Sequence, residues 1–309
     1  MSRTVVATAY GGPEVLEVID QDVPPPGPGE VVVEMRAIGV NPIDYKLYSG
    51  AFGTDPAALP VRLGTEGAGV VLGVGAGTDP IRVGDEVIVY AGEGAYSDVV
   101  LAEADAVLPK PDSMSWESAA CLLSSGGTAY EALEVAGVVE GDTVVIQGAA
   151  GGVGELAVQL VVGRGAVAIG VAWPVHHDFL RTLGAVPVLP GPDLAARIRE
   201  VAPDGVDAVV DTVGTDEVID QSLALGAERD RIVTTIAFAR AARDGFAAIG
   251  GPNEDSARIR REARPLLVDM AAHGGLDVVV GTRFPLADAA EAHRTLQQPH
   301  ARGKLVLLP

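Results

Sequence analysis

The chain has 309 residues, of which 48% are hydrophobic and only 4% aromatic, so it can bury large cores built mainly from Val, Ala, Leu and Gly. A formal net charge of −20 repels phosphate backbones and argues against a nucleic-acid partner. The single cysteine, Cys121, excludes an internal disulfide and any zinc lobe made of several thiolates.

The start, MSRTVVATAYGGPEV, lacks an apolar core of signal-peptide length. The most apolar stretch, residues 156–173, is interrupted by Gln159 and Arg164, so no membrane span and a cytoplasmic location are expected. Residues 1–118 read as short strands: VVVEMRAIGV (31–40), AGVVLGVGAG (68–77) and DEVIVYA (85–91). Between them PPPGPGE (24–30) must be a loop, because its prolines lock φ and remove backbone donors. A compact β-barrel-like domain follows from these runs.

From Trp116 onward, apolar strands alternate with helix-length segments: DTVVIQG, GVGELAVQLVVGRG, AVAIGVA, HDFLRTLGA, GVDAVVDTV and DRIVTTIA. Short connections between such units give parallel βαβ crossovers and a doubly wound sheet. The tail carries a helix at about 255–272, a strand LDVVV (276–280), a helix in ADAAEAHRTLQ and a terminal strand KLVLL. It is expected to rejoin the first domain, giving one domain from residues 1–118 and 255–309 and an inserted one from 119–254. Arg258, Arg260, Arg261 and Arg264 are interleaved with apolar residues at helical spacing and read as a solvated helix face.

The sharpest chemical signal is VVIQGAAGGVGELAVQL. Gly148, Gly151, Gly152, Val153 and Gly154 lead from a strand into a helix, where unpaired amides and the helix dipole attract an anion such as a pyrophosphate. The spacing Ala149-x-Gly151-x-x-Gly154 varies the dinucleotide fingerprint by an alanine at its first position. Asp211-Thr-Val-Gly closes another strand, which puts Thr212 and Val213 either at the nicotinamide ribose or in an ordinary turn; Ala237 follows the strand after that.

With these segments placed, the chain resembles the quinone oxidoreductase branch of the medium-chain dehydrogenase/reductase superfamily. The resemblance rests on AYGGPEVLEV, PPPGPGEVVVEMRAIGVNPIDYK, LGTEGAGVVLGVG, GAYSDVVLAEADAVLPKPD, GGTAYEAL, QGAAGGVGELAVQL, DTVG and FPLADAAEAHRTLQQPHARGKLVLLP. It implies an α/β protein with a GroES-like β-barrel substrate domain and a Rossmann domain, NADPH as cofactor, a homodimer, and hydride delivery to a quinone or conjugated carbonyl. An enone or enoyl reductase and a noncatalytic NADPH-binding regulator are the alternatives.

Zinc-dependent relatives carry a cysteine where this chain has Asn41, and a Gly-His-Glu where it has Gly64-Thr65-Glu66. An amide and an alcohol do not replace a thiolate and an imidazole, so no metal is expected. By resemblance the catalytic candidates are Asn41, Tyr45 and Lys46 in GVNPIDYK, which would supply hydrogen bonds or a proton to the acceptor oxygen. The same residues also suit a turn at Asn-Pro and a surface pair between Asp44 and Lys46. Thr128 matches a segment placed near the nicotinamide, while Ser124 and Ser125 lack any nucleophile elbow. No carboxylate follows AVAIGVA to accept the ribose 2′-OH, which favours NADPH over NADH. Trp173 is expected either to stack on adenine or to pack in its loop, and His176 or His177 to offer a charge to the 2′-phosphate.

Overall fold

The computed structural model describes residues 1–251, 253–298 and 302–309. The chain forms two compact units, Met1–Ser124 with Val278–Pro309, and Ser125–Asp277.

In the first unit a seven-stranded sheet runs in the order Val280–Pro285, Lys304–Leu308, Glu30–Gly39, Gly67–Val74, Glu86–Val89, Val107–Pro109, with Val99–Glu103 also paired to Glu30–Gly39. Only the pair Val280–Pro285 and Lys304–Leu308 is parallel. Register shifts at Val32/Val33 and Met35/Ala37 bend the long strand. A three-stranded antiparallel sheet, Leu16–Gln21, Ser2–Ala7 and Val61–Arg62, lies against it. Val5 and Ala7 from the small sheet share one core with Val33, Val71, Val87, Leu305 and Leu307 from the large one. Residues 22–27, which hold the three prolines, carry no regular structure, as their missing donors require.

The second unit holds a six-stranded, wholly parallel sheet in the order Val186–Val188, Val167–Val171, Thr143–Gln147, Ala208–Asp211, Ile232–Thr234, Ala247–Ala248. Numbered along the chain this is 3-2-1-4-5-6, a doubly wound sheet whose direction of winding reverses between Thr143–Gln147 and Ala208–Asp211. Its central strands are apolar except at their ends, where Gln147 and Asp211 stand at the carboxyl edge, because both faces are covered by helices.

Two boundaries differ from the sequence expectation. The second unit begins at Ser125 rather than 119, inside the helix Leu122–Val135. Helix Glu254–Ala272 belongs to the second unit and not to the first. The reason is a buried carboxylate: Glu131, 1% exposed, accepts from Ser256 Oγ and pairs with Arg260 Nε, both on that helix. Beyond it, Gln159 and Asp277 exchange hydrogen bonds of 2.9 and 2.7 Å. Arg258 is spent on Asp255 and Glu262 of its own helix, as a solvated face implies, whereas Arg260, read as part of the same face, turns inward to the buried Glu131. The strand expected at 276–280 instead occupies Val280–Pro285.

Candidate active site

Strand Thr143–Gln147 ends in Gly148, whose φ of +74° is open to glycine alone without strain; a Cβ there would meet Thr212 Oγ1 at 2.5 Å. Ala149, at the fingerprint's first position, is fully buried, and its amide donates to Val171 O at 3.1 Å, tying the turn to the second strand. Its methyl lies 3.1 Å from where a Cβ on Gly170 would stand, so small residues at both places let the strand and turn meet. Gly151 caps the helix Gly152–Gly163. A Cβ on Gly154 would sit 2.2 Å from Gly148 O, so helix and strand end touch backbone to backbone. The first-turn amides of Gly152, Val153 and Gly154 have no acceptor within the helix. The loop therefore fits a dinucleotide pyrophosphate.

The far side of the switch point is organised by a residue whose role the sequence did not reveal. Asp211 is fully buried; its Oδ1 accepts from the amides of Val213 and Gly214 at 3.0 Å each, and its Oδ2 from Thr234 Oγ1 at 2.6 Å. Thr234 Oγ1 in turn accepts from the amide of Ala237 at 3.0 Å. One carboxylate thus fixes both turns that present Thr212, Val213 and Ala237, while Thr212 Oγ1 donates to Gln147 O at 2.7 Å. Val213, Ile236 and Phe238 are left exposed there. At the end of the second strand Trp173 is 64% exposed and free to offer a flat face. His177 Nε2 hydrogen-bonds to Ala172 O at 2.9 Å, which holds that ring against the strand, and His176 lies beside it in the turn Pro174–His176. Thr128 lies half-buried on the helix Leu122–Val135, next to Gly127, over which Arg260 runs.

In the first unit, Asn41 precedes the helix Pro42–Tyr48 and is 3% exposed. Its Nδ2 donates to Thr65 Oγ1 at 3.3 Å and to Glu66 Oε1 at 3.0 Å, and its Oδ1 accepts from Lys304 Nζ. Lys304 also donates to Val40 O at 3.2 Å and stands 4.0 Å from Glu66. Burial pushes the Glu66 carboxyl up, opposed by the Lys304 charge and by the amide of Ser124, 2.8 Å away. Both Asn41 amide hydrogens are therefore committed inside the unit, and its Oδ1 accepts from Lys304 Nζ. An ammonium among an amide, an alcohol and a carboxylate is not a zinc site. Among the described residues no group of three or more His, Cys, Asp and Glu is placed to hold a metal.

Asp44 is not half of a surface pair with Lys46. It is fully buried, accepting from the amide of Asn41 at 2.8 Å and from Tyr96 Oη at 3.0 Å. Tyr96 Oη shares a hydrogen bond with His293 Nε2 at 2.9 Å, and His293 Nδ1 shares one with Tyr48 Oη at 2.7 Å. Burial raises Asp44 to about 7 and lowers His293 to about 4. Tyr45 and Lys46, half-buried on the same helix, take no part in this chain.

A GroES-like β unit built from both chain ends and an inserted sheet wound 3-2-1-4-5-6 around a glycine turn define a medium-chain dehydrogenase/reductase. Family models concur: residues 27–112 match the alcohol dehydrogenase GroES-like domain, and residues 183–307 match the zinc-binding dehydrogenase family. The quinone oxidoreductase of Pseudomonas aeruginosa is 33% identical over the full length of both chains. The structure of the Escherichia coli quinone oxidoreductase complexed with NADPH superposes with a TM-score of 0.86 at 30% identity, covering all of both chains. The CurK enoyl reductase gives 0.87 at 26% identity over 99% of each. The chain belongs to the quinone oxidoreductase branch of this superfamily. It is an oxidoreductase that binds a nicotinamide cofactor, which removes the noncatalytic alternative. Among the described residues no helix is long and apolar enough to cross a membrane.

Proposed function

We propose that this enzyme is an NADPH-dependent reductase that reduces a quinone or a conjugated carbonyl without zinc. The observation that carries the reading is the buried cluster of Asn41, Thr65, Glu66 and Lys304, which fills with a hydrogen-bonded ammonium the place where zinc-dependent relatives carry ligands. NADPH, when bound, supplies the hydride; with one proton from solvent a quinone becomes a hydroquinone. A conjugated acceptor spreads the developing charge onto oxygen, so hydrogen-bond donors suffice where an unactivated ketone needs a Lewis acid.

The residues divide that work. Gly151, Gly152, Val153 and Gly154 cradle the pyrophosphate, and Thr128, Thr212, Val213 and Ala237 bound the nicotinamide half. Trp173 and His176 receive the adenosine end. Asn41, its amide hydrogens spent on Thr65 and Glu66, holds its neighbours in place, and Tyr45 and Lys46 are the donors to the acceptor oxygen. NADPH is preferred because Ala172 and Trp173 stand where an NAD-specific site carries a carboxylate. A homodimer in the cytoplasm completes the reading.

The test is steady-state oxidation of NADPH and NADH with 1,4-benzoquinone, 9,10-phenanthrenequinone and a panel of enones, before and after a strong chelator. Quinone turnover that survives chelation, in protein without stoichiometric zinc by elemental analysis, is expected. Turnover confined to C=C substrates would make it an enone reductase, and loss of activity with removal of one bound zinc per chain would refute the metal-free chemistry.

A further inference from the structure

Within the first unit, a cavity of about 630 Å³ lies beside the helix Pro42–Tyr48 and the segment that follows it. Its walls include Tyr10, Leu47, Phe52 and Val61, and Phe52 keeps 65% of its surface in solvent. An exposed phenylalanine beside a tyrosine in a concave site is the kind of surface on which a flat conjugated ring stacks. Arg62 is the one base among the lining residues. In a chain with 42 acidic and 22 basic residues, its side-chain partner is nonetheless a neutral amide, Gln21 Oε1 at 3.3 Å. The guanidinium runs past Gly94, with Nε 3.3 Å from where a Cβ on that glycine would stand, so a larger residue at 94 would crowd it.

Two carboxylates share the lining, Asp55 and Glu93. Asp55 Oδ1 accepts from the amide of Ala57 at 2.9 Å and is spent on its own turn. Glu93 is exposed and makes no ion pair with Arg62. A guanidinium has five N–H donors in a planar fork that fits a carboxylate or sulfonate, and most of them are unspent here.

We infer that this cavity receives the acceptor and that Arg62 selects acceptors bearing an ionised acidic substituent, a sulfonate or carboxylate on the conjugated ring. The inference rests on the proposed reduction of quinones and names the class of quinone preferred. Glu93 works against Arg62 by repelling the same substituent.

The experiment compares 1,4-naphthoquinone-2-sulfonate with 1,4-naphthoquinone in wild type, Arg62→Gln, Arg62→Lys and Glu93→Gln. The readout is the ratio of the two kcat/KM values, alongside the ratio of Kd values by calorimetry. Any difference in intrinsic reactivity between the two quinones cancels when the ratio is compared across variants. Arg62→Gln is expected to lower the preference for the sulfonate roughly fivefold, as a partly solvated charge-assisted hydrogen bond supplies. Arg62→Lys should keep part of the preference, Glu93→Gln should raise it, and added salt should shrink it in wild type. A ratio in Arg62→Gln within error of wild type, by turnover and by Kd, overturns the assignment. If neither quinone is turned over, quinone reduction itself falls, and the Kd ratio still decides for or against Arg62.

Discussion

Gly154→Ala separates the packing role of the glycine turn from its ligand role. The new methyl carbon would stand 2.2 Å from Gly148 O, 2.8 Å from Ala149 Cα and 2.9 Å from Gly148 C, all backbone atoms. None of them yields cheaply: Gly148 O accepts from the amide of Gly151 at 3.0 Å, and Ala149 is tied to Val171 at 3.1 Å. The helix must back away from the sheet, an overpacking cost of about 1–3 kcal/mol. A contact more than an ångström inside ordinary van der Waals distance puts it near the top of that range. Alanine returns up to about 1 kcal/mol in helix propensity, leaving roughly 2 kcal/mol of net destabilisation. For a cooperative unit the size of Ser125–Asp277 that lowers the melting temperature by roughly 4–8 °C. Gly151→Ala is the control: its φ of −83° suits any residue, and its Cβ would meet only Gly148 O at 3.4 Å. It should melt like wild type without ligand yet lose the stabilisation that saturating NADPH gives, about 2.7 kcal/mol at a hundred times Kd. Melting curves of both variants with and without NADPH check this. Equal ligand-free melting temperatures for Gly154→Ala and wild type would refute the packing argument, and an undiminished NADPH shift in Gly151→Ala would refute the placement of the pyrophosphate.

Lys304→Met leaves the buried Glu66 without its counter-charge and should cost about 3–5 kcal/mol in urea unfolding, with most of the loss recovered when Glu66→Gln is added. Asp44 and His293 titrate against each other. Asp44, raised from 3.8 to about 7 by burial, favours the fold fully below about pH 4 and loses that contribution as the pH rises to 7. His293, lowered from 6.5 to about 4 by burial, favours it above about pH 6.5 and loses that as the pH falls to 4. Removing the histidine in His293→Gln should therefore make stability rise relative to wild type from pH 7 to pH 4, and Asp44→Asn should do the reverse; parallel pH profiles would contradict both. Dissociation constants for NADPH and NADH at pH 6 and pH 8 test the 2′-phosphate site. If His176 grips the phosphate, NADPH binding weakens at pH 8 in wild type but not in His176→Ala, while tighter NADH at both values removes the NADPH preference.

The parallel-sheet unit was the more legible half, because its signals are local. Short apolar runs mark DTVVIQG, which leads into a glycine-rich turn, and AVAIGVA, which ends at Trp173-Pro174, as buried strands wherever they lie. The strand order is another matter, since nothing in Ala208–Asp211 says that it pairs with Thr143–Gln147 rather than with the strand before it. The tail shows the limit of local reading. LDVVV has the composition of a strand and TRFP that of a turn, yet Arg283, Phe284 and Pro285 pair with Val306, Leu307 and Leu308. The partner available to a segment, not its own propensity, decided which residues became the strand.

Charges were the least legible feature, and the site depends on them. An aspartate at the third position of a short helix is ordinarily a solvated cap; Asp44 is buried because Tyr96 and His293, remote in sequence, close over it. Lys304 opens a terminal strand whose apolar pattern, KLVLL, explains its pairing but not its first residue. That lysine is 7% exposed and supplies the positive charge beside Glu66 and Asn41. Burying an ammonium is costly unless a carboxylate accompanies it, so Lys304 and Glu66 each account for the other. Asn41, whose Oδ1 accepts from the one and whose Nδ2 donates to the other, is held in a single orientation by the pair. The residue that looked most like a donor to substrate is thus fixed by charges from two other segments of the chain, and both of its amide hydrogens are spent inside the unit.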